Sequence, residues 1–383
     1  MIDLTMQDET QKAILSYLVN TETLIRKAIE KETHKPAACQ IVGMPDLGIA
    51  TNKGRMQGGF FTGMYASWKS DISFVPVDAT VNVCGVHVAR LQRPISSKEF
   101  KEIVTKGQHS KDLGYTWNFD SGNHFIMLAN GQGGSQHIVL HASAAEYKKE
   151  NPDLALYPTE NCWYADKIKT YSHNGKSLRY ITGETAEKFI DMAIALEKFN
   201  DKRNKDVTQK LFGDFEPQDI LTSSHYGMPS RNSVAVGCSW KPGKSVMLTA
   251  PGKEIFIVDI LKGNQNTIDG FVLSPHGFGV EAANGKFDFE NYYDLKVRGQ
   301  DLNNSEIKTY VQKILQKCPA KIIEKLSPIC SYNRGKFWDK ETIKKKTTIV
   351  QIPVRSGTLT GPLSLQSQYN IDKTSAKTTK GGV

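Results

Sequence analysis

The residues best suited to chemistry lie on one segment, His124-Phe-Ile-Met-Leu-Ala-Asn-Gly-Gln-Gly-Gly-Ser-Gln-His-Ile-Val-Leu-His141, where two apolar arms flank a glycine-rich turn. That pattern predicts a β-hairpin. With the turn centred between Gln132 and Gly133, residue 124 falls opposite residue 141, at a Cβ separation of about 4.5–5.5 Å, so two imidazoles could reach one ion. A bulge in the turn would shift the register by one and break that pairing. A lone histidine more often sits in a core with its ring hydrogen-bonded, whereas two at matched positions on one hairpin point to a metal. Cys84, followed by Gly85 at the end of a hydrophobic strand, could add a thiolate, and His225 in Ser223-Ser-His-Tyr-Gly a third imidazole. Spacing alone places neither. Nitrogen and sulfur donors make zinc the default ion, with manganese the choice where carboxylate or water completes the shell.

Several elements must position these groups. Residues 9 to 32 carry Ile14, Leu15, Leu18, Leu24, Ile25 and Ile29 at helical spacing, which predicts one or two helices before a glycine-rich stretch from Gly43 to Gly63. Strand-like runs follow at Ile72 to Val77, Val81 to Val88, His124 to Leu128 and His137 to His141. A helix is predicted from near Glu184, where Ala186, Phe189, Ile190, Ala193, Leu196 and Phe199 recur every three or four residues. Strands return at Ser245 to Leu248, Glu254 to Ile260 and Gly270 to Leu273, and a basic helix spans Ser305 to Leu315. Strands and helices mix without strict alternation, so the expected class is α+β. The expected organisation is one domain over residues 1–360 and a disordered tail over 361–383, where large apolar residues are few.

A chain of 383 residues is long enough to bury a large core without disulfides. Its six cysteines are scattered and form no CxxC pair, which argues against a disulfide framework or a zinc ribbon and for free thiols in a reducing compartment. The start, MIDLTMQDET, is polar and acidic where a secretory signal would be basic and then apolar, and no stretch reaches the roughly 18 apolar residues of a membrane span. The expected location is the cytoplasm, without membrane contact. A net charge of +9 suits phosphate-rich partners, although runs such as Lys344, Lys345 and Lys346 read more simply as a solvated face.

In several motifs the sequence resembles the RtcB RNA ligases, from about Val42 to Gly279. Met44-Pro45-Asp46 is similar to the family's amino-terminal motif, Cys84-Gly85 to its metal-binding Cys-Gly, and Gly122-Asn123-His124-Phe125 repeats its GNHF motif. His141-Ala-Ser is similar to its second histidine segment, His225 takes the place of the third metal histidine, and His276-Gly277-Phe278-Gly279 is similar to its guanylate-site motif. The resemblance implies stacked mixed β-sheets flanked by helices around a central metal cleft. It further implies ligation of RNA 3'-phosphate or 2',3'-cyclic phosphate ends to 5'-hydroxyl ends, with GTP and manganese, in RNA repair or tRNA splicing. Cys84, His124, His141 and His225 would hold metal, Asn123 would contact phosphate, and His276 with Gly277 would contact the guanylate, Asn123 and His276 being the catalytic pair.

The sequence also departs from the family. Val81 stands where the metal-binding aspartate is expected, and Asp78 could substitute only if this loop carries an insertion; Val280 replaces an arginine, and His-Ala-Ser-Ala-Ala replaces His-Ser-Gly-Ser-Arg. The family's chain ends in a guanylylated lysine, whereas this one reads Val354-Arg355-Ser356-Gly357 and continues, leaving Lys373 or Lys380 as substitutes. An arginine stays protonated and cannot attack GTP. An RNA-end-binding protein or metal-dependent cyclic phosphodiesterase without guanylylation is therefore the second reading, and a zinc-stabilised interaction protein the third.

Overall fold

The computed structural model describes residues 1–50, 53–120, 122–144, 152–213, 215–283, 293–339 and 350–352. Lys344 to Lys346, Arg355, Lys373, Lys380 and the expected tail at 361–383 lie outside the described residues. The fold is α+β, as the mixed pattern predicts. None of the six cysteines forms a disulfide. Among the described residues, no helix is long and apolar enough to cross a membrane.

The amino-terminal periodicity resolves into one helix, Glu9–Thr33, whose buried face includes Ile14, Leu18, Leu24, Ile25 and Ile29. Asp8 and Gln11 form a reciprocal capping box that satisfies two amides of its first turn. The second predicted helix is Gly183–Phe212, running on past Phe199, and the basic helix is Asn304–Lys317, capped by Asn303 and Glu306. Sequence periodicity did not reveal the fourteen-residue strand Ala320–Asn333. Pro328 interrupts its pattern, and the structure tolerates that proline because the register shifts between Pro328 and Cys330.

That strand is central to an eight-stranded antiparallel sheet. Its order is Ile220–Ser224, Gly85–Arg90, Gln136–Ala142, Phe125–Asn130, Ala320–Asn333, Ile255–Ile260 and Gly243–Met247, with Lys336–Asp339 pairing off Ala320–Asn333. The sheet curls until its end strands meet, bringing Ser223 Oγ within 2.8 Å of Ser245 Oγ. Alternation along each strand then separates two cores. Val86, Val88, Met127, Ala129, Val139 and Val246 pack on the inside. Ile126, Leu128, Ile138 and Leu140 face outward against Phe100 and Val104 of helix Ser97–Gln108 and Val207 of helix Gly183–Phe212.

A second, five-stranded sheet is mixed: Ile2–Asp3 runs parallel to Ala38–Gly48, and Thr62–Lys69, Ser233–Val236 and Tyr226–Gly227 follow antiparallel. His225 lies between the two sheets in sequence, directly after Ser224 of one and before Tyr226 of the other.

Candidate metal centre

The hairpin forms with a register one residue away from the symmetric expectation. Phe125, not His124, pairs with His141. The cause is the loop between the Asn130–Gln136 pair: it spans residues 131–135, is centred on Gly133, and places Gly133 and Gly134 in the left-handed region at φ 66° and 81°. His124 therefore sits just before its strand, where pairing does not dictate the direction of its side chain. Its ring nevertheless lies 5.7 Å from that of His141, centroid to centroid.

His141 projects to the inner face because it pairs with Val86 and stays in phase with Val139. Cys84 precedes the Gly85–Arg90 strand, and its sulfur reaches 3.0 Å from His141 Nε2. His225 is tied by its amide to Cys84 O at 3.0 Å, and its own carbonyl accepts from Gly237 N and Cys238 N. His225 Nε2 stands 3.2 Å from His141 Nε2. Donor atoms of Cys84, His141 and His225 all lie within 4.8 Å of one another, and each side chain is at most 2% exposed. The structure thus brings together three of the four expected ligands as one group, with His124 beside them.

The imidazoles are oriented from behind. His141 Nδ1 donates to Asn123 O at 2.9 Å, and His124 Nδ1 faces Asn118 O and Oδ1 at 3.1 and 3.0 Å. An Nδ1–H committed to oxygen leaves Nε2 as the lone-pair nitrogen, the arrangement that supports a metal-binding imidazole. Burial, and then the neighbouring His276 and His141, hold the His225 pKa well below the usual histidine range, so its ring is neutral at pH 7. At 3.2 Å the two Nε2 atoms are close enough to share a proton as a hydrogen bond or a cation as ligands. Ligand bonds of about 2.0–2.3 Å around a tetrahedral ion would place donors roughly 3.3–3.6 Å apart, so small shifts of these side chains suffice to admit one.

His276 adjoins this group, its ring 5.1 Å from that of His225. Asp46 Oδ2 accepts from His276 Nδ1 at 2.6 Å and from the amides of His276 and Gly277 at 3.1 Å each. Gly277 leaves no room for a side chain, since a Cβ would lie 2.4 Å from Leu248 O. Asn123 is exposed beside the hairpin. Asp78 lies elsewhere: its carboxylate receives Arg179 N, Nε and Nη2 at 2.7, 2.8 and 2.7 Å, and it is not one of the grouped donors.

Sequence reasoning missed several supporting residues. Asn118 accepts from His124 and donates to Ser143 O, joining both ends of the hairpin. Arg298 donates to Phe278 O at 3.1 Å and pairs with Asp8, placing a guanidinium directly after Val297, the strand partner of Val280. Asn200, Arg203 and Asn204 occupy the buried face of the long helix. The last group left a readable signal, because the apolar stripe of Ala193 and Leu196 continues in phase as polar residues. A scan of the chain against protein-family models and a search of curated proteins find no match.

Proposed function

We propose that this chain is a divergent RtcB-like RNA ligase, joining RNA 3'-phosphate or 2',3'-cyclic phosphate ends to 5'-hydroxyl ends with GTP and manganese. The carrying observation is the convergence of Cys84, His141 and His225 within 4.8 Å, with Asp46 fastened to His276 alongside. Neither the helical nor the strand pattern requires these residues, drawn from five distant segments, to share one place. Their meeting supports the family resemblance, including a metal cleft between sheets.

In this reading Cys84, His141 and His225, with His124 beside them, hold the ion, which would neutralise phosphate charge and orient its oxygens. The chain's own groups do the rest. His276, with Nδ1–H held by Asp46, presents Nε2 as a group able to take or give a proton near the guanylate. Gly277 permits close approach of backbone, and the exposed Asn123 amide contacts phosphate. RNA ends and GTP are the partners, and the cytoplasm is the proposed location.

One observation favours the second reading. Asp78 is committed to Arg179, and Val81 holds the place of the expected aspartate, so the donor set is short of oxygen. Thiolate and imidazole alone suit zinc better than manganese. RNA-end binding or cyclic-phosphate hydrolysis without guanylylation fits such a site.

The deciding experiment incubates the full chain with labelled GTP and manganese, then with cyclic-phosphate RNA. Covalent label on the protein and joined RNA are expected for the ligase. Hydrolysis or tight binding of the RNA with no label selects the second reading, and neither outcome with a metal-loaded protein removes both.

A further inference from the structure

Residue 200 belongs, by periodicity, to the apolar stripe of the Gly183–Phe212 helix, yet it is an asparagine and only 1% exposed. Its amide nitrogen donates to Val83 O at 3.0 Å and to Ala142 O at 3.3 Å. These carbonyls belong to the residue just before Cys84 and the residue just after His141. The two ligands are 57 residues apart in sequence. One side chain on a third element therefore grips both of the segments that must be held in fixed relation for sulfur and nitrogen to share an ion.

Two further features make the grip specific. Val83 has φ +48°, a conformation unfavourable for a β-branched residue, and must be held there by its surroundings. Its carbonyl is the one that Asn200 takes. Behind Asn200, the equally buried Arg203 donates from Nη2 to Asn200 Oδ1 at 2.7 Å, which polarises the amide and fixes which end presents the donor hydrogens. A leucine at position 200 would continue the apolar stripe but take this partner from the Val83 and Ala142 carbonyls and from Arg203, so the buried amide serves those contacts rather than packing alone.

We propose that Asn200, fixed by Arg203, is a positioning residue for the metal centre, setting the distance between the Cys84 thiolate and the His141 imidazole. The inference rests on the metal reading above. Supporting groups of this kind commonly change metal affinity by about 10- to 100-fold when removed.

The test uses the full chain and cobalt(II) alone as the probe, following affinity by chelator competition and the thiolate-to-cobalt charge-transfer band. Asn200→Ala is expected to weaken cobalt binding by about 10- to 100-fold and to reduce the charge-transfer band relative to the ligand-field bands. Asn200→Ser, whose hydroxyl can donate to only one of the two carbonyls, should fall between, and carries the comparison if the alanine variant does not fold. Leu196→Ala, a buried apolar truncation on the same helix, should lower the melting temperature while leaving affinity and spectrum unchanged. Wild-type affinity and spectrum in the Asn200 variants, or the same spectral change in Leu196→Ala, overturns the positioning role while the metal site stands. A wild-type chain that gives no charge-transfer band overturns the metal reading itself.

Discussion

Asp46 and His276, 230 residues apart in the chain, meet at 2.6 Å, and the same carboxylate oxygen also receives the amides of His276 and Gly277. One acceptor thus fixes the backbone and the ring of the segment at once. Removing it in Asp46→Ala leaves buried N–H groups without a partner, at about 1–3 kcal/mol each. Urea denaturation should show a loss of roughly 3 kcal/mol or more. Asp46→Asn keeps an acceptor oxygen but loses the charge, so it should fold nearly as well while the proposed RNA-end activity falls by about two orders of magnitude, the usual scale of proton-transfer assistance. An Asn variant with full activity would show that the Asp46 charge does not act through His276.

If the preformed Cys84, His141 and His225 set holds an ion, that ion should stabilise the fold. At a free metal concentration about 100-fold above the dissociation constant, linkage gives about 2.7 kcal/mol. The wild-type chain should therefore melt several degrees higher in zinc or manganese than in chelator, with a bound stoichiometry of about one ion per chain. Cys84→Ala and His141→Ala should lose that difference, and equal shifts in all three proteins would show that the metal binds elsewhere. Whichever ion gives the larger shift identifies the better fit.

The hairpin shows how far sequence could reach. Its two apolar arms and glycine turn predicted strands His124 to Leu128 and His137 to His141, and the strands form within a residue or two. The register could not be read, because the difference between an even turn centred before Gly133 and an odd one centred on it lies in backbone dihedrals, not in residue types. Cys84 and His225 were visible as donors, yet their meeting depends on the pairing of Gly85–Arg90 with Ile220–Ser224, a contact between strands far apart in sequence. By sequence distance, Asp78 can stand in for the missing aspartate only if this loop carries an insertion. Arg179, a hundred residues on, claims it instead.

His87 gives a pH dependence with a definite sign. It lies on the outer face of the same strand, fully buried, with Nδ1 on Thr222 Oγ1 at 3.0 Å and Nε2 without a partner. Burial, and then Lys205, lower its pKa to about 4. The folded state resists a proton that the unfolded chain accepts below about pH 6.5, so stability is full above that value and is lost as pH falls toward 4. By pH 4 the loss amounts to about 3 kcal/mol. Urea denaturation of His87→Leu across this range should show a shallower acid decline than wild type, and parallel declines would mean that another group titrates.

Gly279 and Gly133 share a left-handed backbone, at φ 70° and 66°, but not surroundings. A Cβ at Gly133 would meet nothing within 4 Å, whereas one at Gly279 would lie 2.1 Å from Asp46 O and 2.9 Å from Arg298 Nη1. Alanine at Gly133 should therefore cost only the backbone term, about 1–2 kcal/mol. Alanine at Gly279 carries that term and must also push the Asp46 backbone aside, adding about 1–3 kcal/mol. Because the displaced residue is the one that holds His276, Gly279→Ala should also reduce the proposed RNA-end activity, and Gly133→Ala should not. Comparing the two by denaturation and activity separates backbone conformation from close approach: equal losses would mean that the Asp46 carbonyl does not pack where the structure places it.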